Sequence, residues 1–375
     1  MKKFFANYLH SLVLVTAWGS LLTMFGVWLF RRFSVVPTFP YYYILLLNIK
    51  DAAYALWGYF DGVHYLRIIS AGYQDIGSQA FFPLYPLLVR WISHILSVPP
   101  YISGITLSLI SLTGSITIIK YLFPAKKYYY ILSLLLFPTS FFLIGLYTES
   151  LFLFLSLAFF LSLKHDHFFL AAILAGLASA TRLVGVFLTI SLLTEILRSK
   201  SPRSYTISDW LYTIFRILIS LSGFIAFAYF LWSKFGDPLM FLHVQSMFGA
   251  SRSSGELIML PQVLYRYLKM ILTVDPTSFM YQRIWLELTT FILASLAWVH
   301  NLKHIPRSTS VYVFLSLILP TLTGTLSSFP RYVLVLIPFL LPATMSKSHY
   351  YLLNFTFLIL LIYFFKMYCY GTFIS

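Results

Sequence analysis

An all-α, polytopic transmembrane helical bundle is the fold class that three observations predict. Only 10% of the 375 residues are charged and 59% are hydrophobic, whereas a soluble domain carries about 25% charged residues. Apolar runs of roughly 18 or more residues, enough for a helix to cross about 30 Å of hydrocarbon, recur from Ser11 to Phe365. Backbone groups in lipid must be paired within their own segment, and runs of this length and texture point to helices. With no repeat, heptad array or low-complexity linker, the sequence predicts a single domain over residues 1–375. It should hold about 10–12 membrane segments, with outer loops at about 31–80 and 233–282.

The first apolar run, Ser11–Phe30, follows Lys2 and Lys3 and ends in Arg31-Arg32. It is too long for a signal-peptide core and lacks a small-residue cleavage site, so a retained first helix is expected. In residues 31–80, Tyr41–Asn48 and Val63–Ile69 are too short to span. They read as interfacial helices of the first outer loop, anchored by Tyr41–Tyr43 and Trp57. Spans are then expected near Phe81–Leu96, Ile102–Phe123, Tyr128–Leu146, Leu151–Leu163 and Phe168–Leu197. The last contains Arg182, and an arginine at the bilayer centre costs at least about 3 kcal/mol. Two shorter helices meeting at Arg182 are therefore expected. After a span at Leu211–Trp232 comes the polar-leaning Ser233–Gln282, with the turn signal Gly236-Asp237-Pro238 and a helical pattern over Ile258–Val274. Spans near Ile284–His300, Val311–Leu326, Tyr332–Met345 and Tyr350–Phe365 close the chain, with Pro330 marking a break.

Net charge is +15, which in a soluble protein would suggest nucleic acid. Here the basic residues gather in short loops such as Lys126-Lys127, Arg198–Arg203 and Lys303–Arg307, the pattern of cytoplasmic loops, and no nucleic-acid partner is expected. The single cysteine, Cys369, excludes an intramolecular disulfide and a thiolate metal site. Metal-ligand motifs are absent, so a cofactor is not indicated, and a bound divalent cation is possible but not called for by the sequence. No P-loop or Gly-x-Gly-x-x-Gly opens a helix, which argues against a nucleotide-activated donor. A lipid is then the expected source of any activated group.

The stretch Trp57–Pro86 is the polar patch around which the rest is organised. Asp61, close to Trp57 and Phe60, can stay ionised at a membrane surface and take a proton from a hydroxyl; the plain alternative is a helix cap or a partner for Arg67. His64 would share a helical face with Asp61, as an acid/base group, a phosphate contact or a simple surface histidine. Asp75 could bind a cation or a sugar hydroxyl, or be a solvated loop carboxylate. Arg90, Glu149, Arg182 and Arg331 are ionisable residues at membrane depth or its edge, where burial needs a reason. Arg182 and Arg331 could hold a lipid phosphate with the planar guanidinium fork, or pair with Glu149 across helices.

The segments Phe60-Asp61-Gly62-Val63-His64-Tyr65-Leu66, Gly72-Tyr73 and Ala80-Phe81-Phe82-Pro83-Leu84-Tyr85-Pro86 resemble the first outer loop of the PIG-V family. These are the second mannosyltransferases of glycosylphosphatidylinositol synthesis and their prokaryotic relatives. Further similarity follows in the same order at Phe137-Pro138-Thr139-Ser140, Tyr147-Thr148-Glu149-Ser150, Thr181-Arg182, Gly236-Asp237-Pro238 and Pro330-Arg331-Tyr332. The resemblance implies a GT-C glycosyltransferase that uses a polyprenyl-phosphate sugar, such as dolichyl phosphate mannose, on the lumenal or extracytoplasmic face. By position Asp61 would be the base. His64, Arg67, Asp75, Glu149, Arg182, Asp237, Arg331 and Tyr332 would be donor-phosphate or substrate contacts. The family usually has Trp-Asp where this chain has Phe60-Asp61, so the aromatic contact beside the base is altered.

The expected reaction is therefore transfer of a hexose, mannose first among candidates, with inversion, to a lipid, glycan or protein acceptor. The setting would be a prokaryotic plasma membrane or the endoplasmic reticulum, with room for a small membrane subunit as partner. The rival is a lipid or sugar transporter or flippase, which would predict inverted repeats and paired broken helices. The sequence shows no such symmetry. A non-catalytic membrane subunit would leave the polar residues around Asp61 and at Arg331 without a purpose.

Overall fold

The computed structural model describes residues 2–32, 46, 52–199, 205–249, 252–253, 255–342 and 344–374. The expected short helix Tyr41–Asn48, Leu46 apart, lies outside them. Among the described residues every regular element is helical: sixteen α-helices, short 3-10 turns and no strand. The α-helices are α1 Lys2–Arg32, α2 Ala52–Ala55, α3 Asp61–Ala71, α4 Leu84–Leu96, α5 Pro100–Leu122, α6 Lys127–Leu136, α7 Glu149–Lys164 and α8 Phe168–Ser179. They continue as α9 Phe187–Ser199, α10 Ile207–Phe235, α11 Met240–His243, α12 Leu260–Thr273, α13 Phe279–Asn301, α14 Arg307–Thr321, α15 Phe329–Leu340 and α16 Lys347–Cys369. By length and composition, four of the described helices can cross a membrane: α1, α5, α10 and α16. Helices α4, α8 and α15 are apolar but shorter.

Boundaries follow local chemistry. α10 starts at a capping box, in which Thr206 accepts the Asp209 N–H while the Asp209 side chain accepts the Thr206 N–H, and it stops at Gly236 with φ of 75°. Ser278 and Ser346 cap α13 and α16 with their hydroxyls alone, which accept the Tyr281 and His349 N–H groups. Prolines at the first or second position open α5, α12 and α15. The expected span Tyr128–Leu146 is not one helix. α6 stops at Leu136 because Phe137 precedes Pro138 and takes ψ of 141°, and a 3-10 turn follows at Ser140–Leu143. The apolar run Phe168–Leu197 does divide at Arg182, which is extended (φ −152°, ψ 147°) between α8 and a 3-10 turn at Leu183–Val186 that leads into α9.

The described residues gather into two compact units, with one boundary inside α7. The first lies within Met1–Gln74, Pro83–Leu157 and Met345–Ile374. In it α1 packs on α5 and α16. Buried Lys120 of α5 donates to the Asn7 carbonyl at 3.1 Å and to Ser11 Oγ at 2.8 Å of α1. This polar seam supplies the partners that a lysine in an apolar helix needs. Trp57 donates to Thr23 Oγ1 at 3.2 Å and stacks on Phe365 of α16 with centroids 5.8 Å apart.

The second unit holds Asp75–Phe82 and Ala158–Thr344. Its tightest crossing is α8 on α10, where a Cβ added to Gly223 would lie 2.2 Å from the Gly176 carbonyl oxygen. Small residues there let two backbones touch, and the Phe224 N–H donates to Ser179 Oγ at 3.1 Å. The segment Asp75–Phe82 joins this unit through aromatic rings: Phe81 on Phe248 at 5.5 Å, and Phe82 on Phe227 at 5.0 Å and Phe241 at 5.5 Å.

Candidate functional site

In the first unit Asp61 is the opening residue of α3. The chain reaches it through a tied crossing: the Leu146 N–H donates to the Trp57 carbonyl at 2.8 Å, and the buried Tyr147 hydroxyl donates to the Tyr59 carbonyl at 2.5 Å. Gly145 lets the two segments approach, since a Cβ there would lie 2.7 Å from the Tyr147 ring and 3.0 Å from the Trp57 carbonyl oxygen. Between them Phe60 holds φ of 51° and ψ of −114°, a conformation that costs a non-glycine residue about 1–3 kcal/mol. Its ring is fixed against Tyr368 at 5.7 Å and Phe373 at 5.5 Å. Backbone strain of this kind concentrates at functional sites, and here it immediately precedes the candidate base.

α3 then shows why its polar residues work together. Asp61, His64 and Arg67 are half-buried, while Gly62, Val63, Tyr65, Leu66, Ile68 and Ile69 are buried. The three-residue spacing that the sequence suggested thus becomes one stripe along the helix. Glu149, wholly buried, opens α7 two residues beyond Tyr147. Two carboxylates, Asp61 and Glu149, therefore begin helices that issue from the same tied crossing, each where the helix dipole favours negative charge.

The second unit brings Arg182, Arg331 and Tyr332 together. The Arg182 guanidinium lies over the Tyr332 ring, 4.9 Å from its centroid, a cation–π geometry. Arg331 is the third residue of α15 and is buried. α15 opens from Ser328, which is left-handed at φ of 67° and whose carbonyl accepts the Arg331 N–H at 3.0 Å.

Around this turn stand residues that the sequence reading missed. Arg252 donates to Ser328 Oγ at 3.1 Å and to Gln245 Oε1 at 3.4 Å. Arg266 donates to the Gly324 carbonyl at 3.0 Å. Tyr267, buried in α12, donates its hydroxyl to Glu287 Oε2 of α13 and accepts the Leu326 N–H at 3.0 Å. Burial, with the Glu287 carboxylate beside it, pushes the Tyr267 phenol well above its ordinary range, which keeps it a donor. Arg283 Nε lies 3.6 Å from Glu287 Oε1. Glu287 carried a readable signal, a carboxylate within the apolar run Ile284–His300; Arg252 and Arg266 carried none.

The remaining candidates serve their own turns. The Asp75 carbonyl accepts from the Ser78 N–H at 3.1 Å and hydroxyl at 2.6 Å, and its half-buried side chain opens the Asp75–Phe82 segment. Asp237 lies between α10 and α11, where Oδ1 accepts the Leu239 N–H at 2.9 Å and Oδ2 is 2.6 Å from His243 Nδ1. Partial burial pushes the Asp237 carboxyl up, but the His243 ring and the Leu239 N–H outweigh it and hold the group below its ordinary range. Among the described residues no three His, Cys, Asp or Glu side chains are grouped to hold a metal ion.

The chemistry available is thus a carboxylate at a strained helix start in one unit and, in the other, guanidinium groups and a tyrosine collected at the start of α15. The first suits proton abstraction and the second suits a phosphate. Set beside known protein families, curated proteins and solved structures, the chain matches none.

Proposed function

We propose that this protein is a membrane glycosyltransferase of the GT-C type that moves a hexose, with mannose the first candidate, from a polyprenyl-phosphate donor to a hydroxyl of a lipid, glycan or protein. The observation that carries the reading is the arginine-rich start of α15: the Arg182 guanidinium lies over the Tyr332 ring, Arg252 donates to Ser328 Oγ, and Arg331 is buried in the first turn. A phosphate is a good leaving group and needs its growing charge stabilised more than it needs a proton. The donor phosphodiester carries one negative charge, and its departure as a monoester adds a second; guanidinium groups fixed in place stabilise that increase.

Asp61 takes the proton of the acceptor hydroxyl as the oxygen attacks the anomeric carbon. The bond to the phosphate oxygen breaks on the opposite face, so the anomeric configuration inverts. His64 and Arg67, on the same stripe of α3, orient the acceptor. The active face is the extracytoplasmic or lumenal one, where a lipid-linked sugar rather than a nucleotide sugar is the available donor.

The test is transfer of radiolabelled mannose from polyprenyl-phosphate mannose in membranes holding wild type, Asp61→Asn or Arg331→Ala, with organic-extractable and protein fractions counted separately. Label with wild type alone supports the reading, and its fraction gives the acceptor class. Equal label in all three removes Asp61 and Arg331 from the reaction. No label from any of a panel of polyprenyl-phosphate hexoses sinks the glycosyltransferase.

A further inference from the structure

The turn Gly324–Ser328 that delivers Arg331 is irregular backbone between two apolar helices, and its polar groups need partners. α12 supplies two of them: Arg266 takes the Gly324 carbonyl at the start of the turn and the adjacent Tyr267 takes the Leu326 N–H at its middle. Within the turn the Ser327 N–H donates to Thr325 Oγ1 at 3.1 Å. Tyr267 is 1% exposed and Glu287, which receives its hydroxyl proton, is 3% exposed. A phenol held from one side by a carboxylate and from the other by a backbone N–H has one orientation available. The turn it holds ends at Ser328 in the left-handed conformation, after which Phe329 begins α15, Pro330 fixes φ and Arg331 completes the first three residues of the helix.

We infer that the buried pair Tyr267–Glu287 is a positioning device for Arg331: through the Leu326 N–H it sets the start of α15 and so aims the guanidinium that binds the donor phosphate. The inference rests on the reading above that Arg331 meets a lipid phosphate. Neither Tyr267 nor Glu287 touches the ligand. The pair acts through the turn, so removing the Tyr267 hydroxyl weakens phosphate binding only while Arg331 is present.

The experiment is a double-mutant cycle on binding of undecaprenyl phosphate to the full-length protein in nanodiscs, followed by intrinsic tryptophan fluorescence, with melting temperature and size-exclusion profile recorded for each variant. Arg331→Ala is expected to weaken binding about 10- to 100-fold, the range of a charge-assisted contact. Tyr267→Phe is expected to weaken it about 5-fold, and by less than about 2-fold in the Arg331→Ala background. Glu287→Gln keeps an acceptor for the Tyr267 hydroxyl and should bind much like wild type, whereas Glu287→Leu should resemble Tyr267→Phe. If Tyr267→Phe is not monodisperse, half-buried Arg266→Ala loosens the start of the same turn and completes the cycle.

Equal losses from Tyr267→Phe with and without Arg331 would overturn the positioning role and leave the phosphate reading standing. Unchanged binding in Arg331→Ala would instead remove the phosphate assignment itself.

Discussion

The Tyr147 hydroxyl donates to the Tyr59 carbonyl oxygen across 2.5 Å, and both residues are buried. Asp61 and Glu149 each follow two residues after one partner of this bond, so a single interaction sets where both carboxylates enter their helices. Tyr147→Phe keeps the ring, with its edge-on contact to Phe142 at 4.8 Å, but removes one of the two donors on the Tyr59 carbonyl, which keeps the Gly62 N–H at 3.0 Å. A loss of about 0.5–1.5 kcal/mol is expected, measured as thermal or denaturant unfolding in detergent. An unchanged midpoint would show that the crossing is held by its backbone bond alone.

Arg182 over Tyr332 makes a prediction about shape rather than charge. Tyr332→Phe retains the aromatic face and should leave transfer within about 2-fold of wild type, while Tyr332→Leu should lower it by about 3- to 10-fold, the worth of a desolvated cation–π contact. Arg182→Lys should recover little, because an ammonium lacks the flat fork. Full activity in Arg182→Lys would mean that only the positive charge matters.

The α8–α10 crossing predicts a severe defect from a small change. In Gly223→Ala the new methyl would sit 2.2 Å from the Gly176 carbonyl oxygen and 2.6 Å from Ala180 Cβ, so the helices must part. A cost of about 1–3 kcal/mol or more is expected, seen as loss of monodisperse protein on size exclusion. Gly255→Ala, with open space around it, is the control and should behave as wild type.

Asp237 predicts a pH dependence whose sign is fixed by its lowered carboxyl pKa. A carboxyl that is more acidic folded than unfolded stabilises the protein above the unfolded value, about pH 3.9, and loses that contribution as pH falls through the lower folded value. Asp237→Asn should therefore melt below wild type near neutral pH, with the gap closing as pH falls below about 4. The carboxylate is partly solvated, so the gap is small. A gap that widens as pH falls below about 4 would contradict the His243 and Leu239 assignment.

What could be read from the sequence was what a local rule could reach. Arg182 divides its apolar run because an arginine at membrane depth needs a break or a partner, and the division is found there. The shared face of Asp61 and His64 follows from helical period alone, and the structure adds Arg67 to it. Pro330 marks the start of α15, yet the same reasoning was not applied to Pro138, which ends α6. Tyr267, Arg266 and Arg252 escaped because their partners, Leu326, Gly324 and Ser328, are distant in the chain, and no periodicity records a contact of that kind. Lys120 escaped because a lysine near a helix end reads as a snorkelling residue until its bonds to Asn7 and Ser11 are seen.

The membership of Asp75–Phe82 in the second unit also sets an order of events during synthesis. Phe81 and Phe82 leave the ribosome with the early helices, while their partners Phe227, Phe241 and Phe248 are still untranslated. At about 5–20 residues per second they wait on the order of ten seconds for those rings. In that interval this aromatic segment is held at both ends by chain belonging to the first unit and lacks the rings that it packs on in its own unit. Asp75, at its head, is among the first acidic residues made and waits with this segment for the rest of its unit.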